Sequence, residues 1–232
     1  MKLASLLFFS TLVAFFVTDY LVFVVPKAAY HAQGAEHPEV KAYLNDINET
    51  VDATDGPPVK KVLSAGYLRR VDIAPGFRVV HDPALGDELI VSGPAAALEF
   101  FEMHEDKDRL SPDFSRPVRL KDLVEIRVNL HKHHSEQMRI NLLYAPEGRT
   151  ELQPDFVTEG PLKFKLLTFA GVPPHAVRVE SKDVVINTTN DVSGLEGTAE
   201  RLEFIFDDKS APEQNTPGLR AGKTYRTYVG ND

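Results

Sequence analysis

The stretch K-D-V-V-I-N-T-T-N-D-V-S-G-L-E-G-T-A-E-R-L-E-F-I-F-D-D-K-S, Lys182 to Ser210, decides the fold class. Val184, Ile186 and Thr188 alternate with polar or outward-facing neighbours, and Leu202, Phe204 and Phe206 repeat the pattern. Each position of the second run follows its counterpart by 18 residues. Period two turns one side of each segment toward a core, which is the signature of a half-buried strand. The long offset, with Gly194 and Gly197 read as a tight turn, predicts successive rungs of a coiled β structure rather than a hairpin. Ile186 and Phe204 then occupy equivalent inward positions one rung apart.

Working outward, strand signals begin at Tyr67. L-R-R-V-D-I-A, F-R-V-V-H, E-L-I-V-S and A-L-E-F-F-E-M are punctuated by Pro75-Gly76, Asp82-Pro83 and Gly93-Pro94, the cadence of an all-β chain. The charged segment Glu105 to Arg116 reads as a loop. Val124, Ile126, Val128 and Leu130 share one face, as do Met138, Ile140, Leu142 and Tyr144. These two runs are expected to be adjacent, paired strands with H-K-H-H-S-E-Q at the hairpin tip. The residues from Pro212 to Asp232 read as a loosely attached tail.

The N-terminal side differs in kind. Leu3 to Val25 is almost wholly apolar, and as a helix it would span roughly 34 Å, enough for a hydrocarbon core of ~30 Å. The residues after Val25 make a poor signal-cleavage site, because Lys27 or Tyr30 would stand where a small residue is wanted. The reading is therefore an uncleaved signal anchor, with the bulk of the chain outside the cytoplasm. Asp19 within the run is either near the interface or paired with another helix. From Ala28 to Ala65 the chain turns polar and reads as a linker. Val40, Leu44, Ile47 and Val51 fall at helical spacing behind Pro38, compatible with a short amphipathic helix.

Composition narrows the function classes. The chain has 232 residues and a formal charge of −8, so phosphate backbones are repelled and nucleic acid is excluded as an expected partner. There is no cysteine, which removes disulfides, thiolate metal sites and thiol catalysis. There is no tryptophan either, the best stacking platform for a sugar ring.

The run V-D-I-A-P-G-F-R-V-V-H-D-P-A-L-G-D-E-L-I-V-S-G-P, together with Ser181 to Ser210 and the terminal anchor, resembles the bacterial family of auto-transporter adhesins, head GIN domain. The resemblance covers Leu68 to Ser210. It implies export, solenoid-like rungs and adhesion, and it brings no catalytic residue with it. Asn190 and Asp208 stand where the family has a glycine after each rung strand.

Chemical candidates are few. His131 and His133 would point the same way on an extended strand and, with His134 and Glu136 near, could share a transition metal. The plainer reading is a solvated tip without a third ligand or supporting shell. Asp207 with Asp208, Glu102 with Glu105, and Asp106 with Asp108 are the acid pairs that glycoside hydrolysis would need. Neighbouring residues on a strand point oppositely, which disqualifies Asp207 and Asp208 as a facing pair. The D-x-D-x-D-G calcium spacing, G-x-S-x-G, H-E-x-x-H and phosphate loops are all missing. N-E-T at Asn48 and N-T-T at Asn187 fit glycosylation triplets.

The expectation is an all-β protein, with a solenoid-like coiled β domain in the C-terminal half preceded by an N-terminal transmembrane helix. Its parts are an anchor over 1–27, a linker over 28–65, a β domain over 66–211 and a tail over 212–232. No residue is assigned a catalytic, cofactor-binding or metal-binding role. The expected function is a non-catalytic, membrane-anchored envelope module for adhesion, scaffolding or ligand display, meeting an envelope protein or glycan. The alternatives are an exported polysaccharide hydrolase or lyase, and a metal-binding sensory ectodomain.

Overall fold

The computed structural model describes residues 50–64, 66–106, 108–133, 136–143, 152–171, 176–187, 193–206, 216 and 218–229. Thr50–Asp232 forms one compact unit. The apolar run Leu3–Val25, Asp19 and the candidate helix behind Pro38 up to Glu49 lie outside the described residues, as do Asn190, Asp207 and Asp208. Among the described residues no helix is long and apolar enough to cross a membrane.

The described chain is nearly all β. It begins with β1 (Val51–Asp52), β2 (Pro58–Ser64), β3 (Arg70–Ile73), β4 (Phe77–His81) and β5 (Glu88–Pro94), followed by a short helix α1 (Ala95–Glu99). Next come β6 (Phe101–Asp106), β7 (Arg109–Phe114), β8 (Val118–Arg119) and β9 (Val124–Val128), then a 3-10 turn at Leu130–His133. The last strands are β10 (Gln137–Leu142), β11 (Asp155–Thr158), β12 (Leu166–Gly171), β13 (Val177–Asn187), β14 (Leu195–Phe206) and β15 (Leu219–Tyr228). They assemble into an eight-stranded sheet, β15-β14-β13-β12-β10-β3-β7-β6, and a five-stranded sheet, β11-β4-β9-β5-β2, with β1 and β8 forming a small parallel pair.

The stretch that decided the fold class is parallel and in register. Val184 pairs with Leu202 and Ile186 with Phe204, the 18-residue offset read from the sequence. The same inward positions continue through the sheet: Val71, Ile140, Phe169, Ile186 and Phe204 occupy one row of successive strands. Met138, Leu167, Val184 and Leu202 occupy the next. All nine of these side chains are buried. Rows of this kind give each interior apolar side chain an apolar neighbour on both sides, the unit from which sheets draw stability.

The two long strands change phase part-way. In β13 the buried positions run Val177, Val179, Ser181 and then Val184, Ile186; in β14 the same slip falls between Ala199 and Leu202. The first half of β13 lies beside Leu162 and, at Ala176 just before it, Val157 of β11, whereas the second half pairs with β12. The strand thus turns from the flank of one sheet into the other. Ser181 pins the corner, its hydroxyl donating to the Leu162 carbonyl at 3.0 Å and accepting from the Phe164 amide at 3.1 Å. Lys182 and Glu200, between the registered halves of each strand, are the residues that absorb the bend.

Several expectations need correction. Gly197 belongs to β14 rather than to a turn. It has φ +120°, and a Cβ there would lie 2.0 Å from the Val179 carbonyl oxygen, so only glycine lets the backbones approach this closely. β9 and β10 are not paired with each other. β9 lies between β4 and β5, while β10 lies between β3 and β12 in the other sheet. Shared periodicity shows that both runs have a buried face, but it cannot tell a hairpin from a crossover between sheets.

Glu105 to Arg116 is not a loop, since most of it forms the β6–β7 hairpin with Asp106 opposite Arg109. Edge strands tolerate charge on their open side, which hides them from an apolar-pattern reading. Ala95–Glu99 is helical because Ala-Ala-Ala-Leu-Glu follows Pro94, whose fixed φ suits a helix entry. The presumed linker contains β1 and β2. The presumed loose tail contains the ten-residue β15, paired along its length with β14. Its inward positions beside Leu202, Phe204 and Phe206 are Thr224, Arg226 and Tyr228, so no apolar alternation announces it.

Candidate functional site

The outer face of the five-stranded sheet carries a groove of about 450 Å³. Strand register builds it in two rows. Asp155, Arg78 and Glu125 stand side by side across β11, β4 and β9, and Val157, Val80 and Arg127 form the next row. Leu123 and Gln153 line one part of the groove and Glu159 another. The face is amphipathic by alternation, since Val79 and Ile126 point to the core while Arg78 and Arg127 point out.

The charges are interlocked. Arg78 Nε donates to Asp155 Oδ2 at 2.8 Å, and Asp155 is almost wholly buried. Arg127 reaches Asp82 Oδ2 through Nε at 3.2 Å and Nη2 at 3.0 Å, approaches Glu125 at 3.5 Å, and also bonds Glu159. Partial burial alone would lower the Arg127 pKa. Hydrogen bonds to Glu159 and Asp82 outweigh it and hold the guanidinium above its usual value. Its planar fork is what allows one cation to serve several carboxylates. Four carboxylates, Asp82, Glu125, Asp155 and Glu159, therefore share two guanidinium groups in and beneath the groove. Such a surface offers fixed donors and acceptors to a polar ligand without a free nucleophile among the groups described.

Beneath this face lies a histidine pair. His81, at the end of β4, is fully buried, and its Nδ1 accepts from the Leu130 amide at 3.2 Å. Its ring meets that of His131 edge to face, with centroids 4.5 Å apart, and His131 in turn packs 5.3 Å from Phe164. Burial above all, with the nearby His131 adding to it, pushes the His81 pKa down to about 4. The Val128 carbonyl and Asp82 oppose that shift, yet His81 Nε2 has no well-formed hydrogen bond among the described residues. His131 Nε2 accepts from the Lys163 amide at 2.9 Å, and burial, followed by the Lys163 charge, lowers its pKa too.

This geometry corrects the expectation of a solvated hairpin tip. His131 sits in a 3-10 turn on a crossover and is half-buried against His81 and Phe164. The side chains of His133 and His134 lie outside the described residues, and Glu136 is engaged by Lys165 at 3.0 Å. Among the described residues no three histidine, cysteine or acidic side chains gather as a metal site. Of the acid pairs, Glu102 stands on the exposed side of β6, 3.9 Å from His104. The side chains of Glu105 and Asp106 lie outside the description, as do those of Asp207 and Asp208.

Sequence reasoning missed the residues that organise both faces. Arg127 was visible only as an outward position of β9, and Asp82 only as half of an Asp-Pro turn. On the eight-stranded sheet, Asp72 is fully buried under Arg70 at 2.8 Å and Arg109 at 2.5 Å, with Asn141 also bonding it. The Arg109 contact is ionic rather than a well-aligned hydrogen bond. An acid between Val71 and Ile73 was the available signal for this cluster.

No protein-family model matches the chain. No curated protein matches its sequence either. The fold does have solved counterparts. A crystal structure of a candidate adhesin from Bacteroides fragilis superposes with a TM-score of 0.52 at 11% identity, over 78% of this chain and 79% of that one. A candidate adhesin from Parabacteroides distasonis gives 0.49 at 10% identity, over 78% and 82%. A candidate lipid-binding protein from the same species gives 0.48 at 10% identity, over 78% and 81%. At such identities the likeness to the Bacteroides fragilis structure is one of fold alone.

Proposed function

We propose that this chain is a non-catalytic, envelope-associated β module that acts by presenting its surface, in adhesion, scaffolding or ligand display. The observation that carries the reading is the groove on the five-stranded sheet. Its carboxylates are held in ion pairs with Arg78 and Arg127, an arrangement suited to fixing a polar ligand rather than to moving protons. The description of the Bacteroides fragilis neighbour as a candidate adhesin is in keeping with this reading, as is the resemblance of Leu68 to Ser210 to head GIN domains. The parallel, in-register run β12 to β15 supports a solenoid-like coil in the C-terminal half.

The test is binding of the full chain to an array of envelope polysaccharides and surface proteins. Arg127→Ala should weaken capture of any groove ligand at least tenfold, since it frees three carboxylates to repel one another. Release of sugar fragments from the array, abolished by Glu125→Gln, would replace the reading with that of a polysaccharide-acting enzyme.

Attachment is proposed through Leu3 to Val25, whose length and apolarity match a bilayer. Membrane fractions should keep the full-length chain after a carbonate wash. A mature N-terminus near Gln33 by intact mass would show a cleaved signal instead.

A further inference from the structure

The two edges of the eight-stranded sheet carry opposite charge. β15 reads L-R-A-G-K-T-Y-R-T-Y, with Arg220, Lys223 and Arg226 and no acid. β6 reads F-E-M-H-E-D, with Glu102, Glu105 and Asp106 and neither Lys nor Arg. Among the described residues each has a strand neighbour on one side only. Arg220, Lys223, Tyr225 and Tyr228 on β15 are exposed, as is Glu102 on β6. Glu203 on the adjacent β14 is already engaged by Arg201 at 3.0 Å and by the Thr227 hydroxyl at 2.8 Å.

We infer that copies of this chain join head to tail, with β15 of one copy pairing with β6 of the next. Strand direction makes the join simple. β15, β14, β13, β12, β10, β3 and β7 all run parallel, and β6 runs antiparallel to β7. A copy shifted along the sheet without being turned over therefore brings its β6 antiparallel to β15, a pairing that needs no further rearrangement. Lys223 and Glu102 both stand on the outward face, so the join sets opposite charges across it. Their orientation follows from register, since Lys223 pairs with outward Arg201, and Glu102 with Asp113 two residues beyond outward Ser111.

Pairing of either edge with itself sets cations against cations or acids against acids, which destabilises neighbouring strands. A cationic edge alone would serve as a guard against sheet-to-sheet aggregation. An opposite edge with three acids and neither lysine nor arginine instead makes the two ends complementary. A contact between two different surfaces does not close on itself and generates an open row. Eight strands at a spacing of ~4.8 Å give a repeat of about 38 Å per copy. This inference stands apart from ligand binding at the groove on the other sheet.

The absence of cysteine makes the test direct. Full-length Lys223→Cys/Glu102→Cys protein, purified in mild detergent and oxidised with copper phenanthroline, should give a ladder of dimer, trimer and higher bands on a non-reducing gel. An equimolar mixture of the two single variants should stop at dimer, in at least tenfold greater yield than either alone. Adding Arg220→Glu, or raising sodium chloride to high concentration, should cut the ladder several-fold, because the attraction is between screened surface charges. Equal dimer yield from Lys223→Cys alone would mean that the edge meets its own copy and would overturn the inference. So would monomer in every lane.

Discussion

Phe204→Ala should destabilise the β unit by about 3–5 kcal/mol, the usual cost of deleting a buried aromatic side chain. Phe204 is 3% exposed, stands beside Ile186 in the inward row and packs with Phe206 at a ring separation of 6.1 Å. The apolar row runs across five strands and ends at Phe204, which has Ile186 on one side and Arg226 of β15 on the other, so the lost ring leaves a gap beneath the edge strand. Glu203→Ala, one residue away on the opposite face, should cost less than about 1 kcal/mol, because the bonds it loses to Arg201 and Thr227 are solvent-accessible. Ile186→Ala combined with Phe204→Ala should depart from additivity by about 0.5–3 kcal/mol, as contacting residues do. Urea melts of the parent, the single variants Phe204→Ala, Glu203→Ala and Ile186→Ala, and the double variant, compared at matched slope, read all three expectations. Additive losses, or equal losses at Glu203 and Phe204, would contradict the shared inward row.

What was legible in the sequence follows from which interactions are local. Period two in Val184–Ile186 and Leu202–Phe206 reports a buried face, and an offset of 18 residues reports equivalent positions on neighbouring strands. Both survive because every inward residue repeats the same requirement. The partner of a strand is set elsewhere in the chain. Nothing in Val124–Val128 or Gln137–Leu142 says that they lie in different sheets, since each satisfies its own alternation in either arrangement. The second half of β6 and the whole of β15 were lost for a related reason. An edge strand needs an apolar face only where something covers it, and Thr224, Arg226 and Tyr228 fill inward positions beyond which no strand follows among the described residues.

The groove was harder still, for it depends on cross-strand register. Asp155 and Arg78 are 77 residues apart, and Arg127 and Asp82 are 45 apart. The histidine motif drew attention to the right segment for the wrong reason. His131 matters through His81, a residue 49 positions before the Leu130 amide that it accepts from.

That pairing makes stability depend on pH in a stated direction. Folded His81 has its pKa depressed to about 4 from an ordinary value near 6.5. Between those values the unfolded chain binds a proton that the folded chain refuses, so stability is full above pH 6.5 and falls as the pH drops toward 4. The depression corresponds to a loss of about 3 kcal/mol between pH 7 and pH 4. The downward shift of His131 acts in the same sense. His81→Asn provides the comparison, because its side-chain oxygen can accept from the Leu130 amide while nothing at that position titrates. The variant loses ring packing against His131 and should be less stable at pH 7 by about 1–3 kcal/mol. Its stability should then fall much less steeply between pH 7 and pH 4 than that of the parent. Urea midpoints measured across this range give the two slopes directly. If parent and variant lose stability in parallel, the acid sensitivity belongs to other groups, and His81 is not the buried neutral imidazole that its surroundings require.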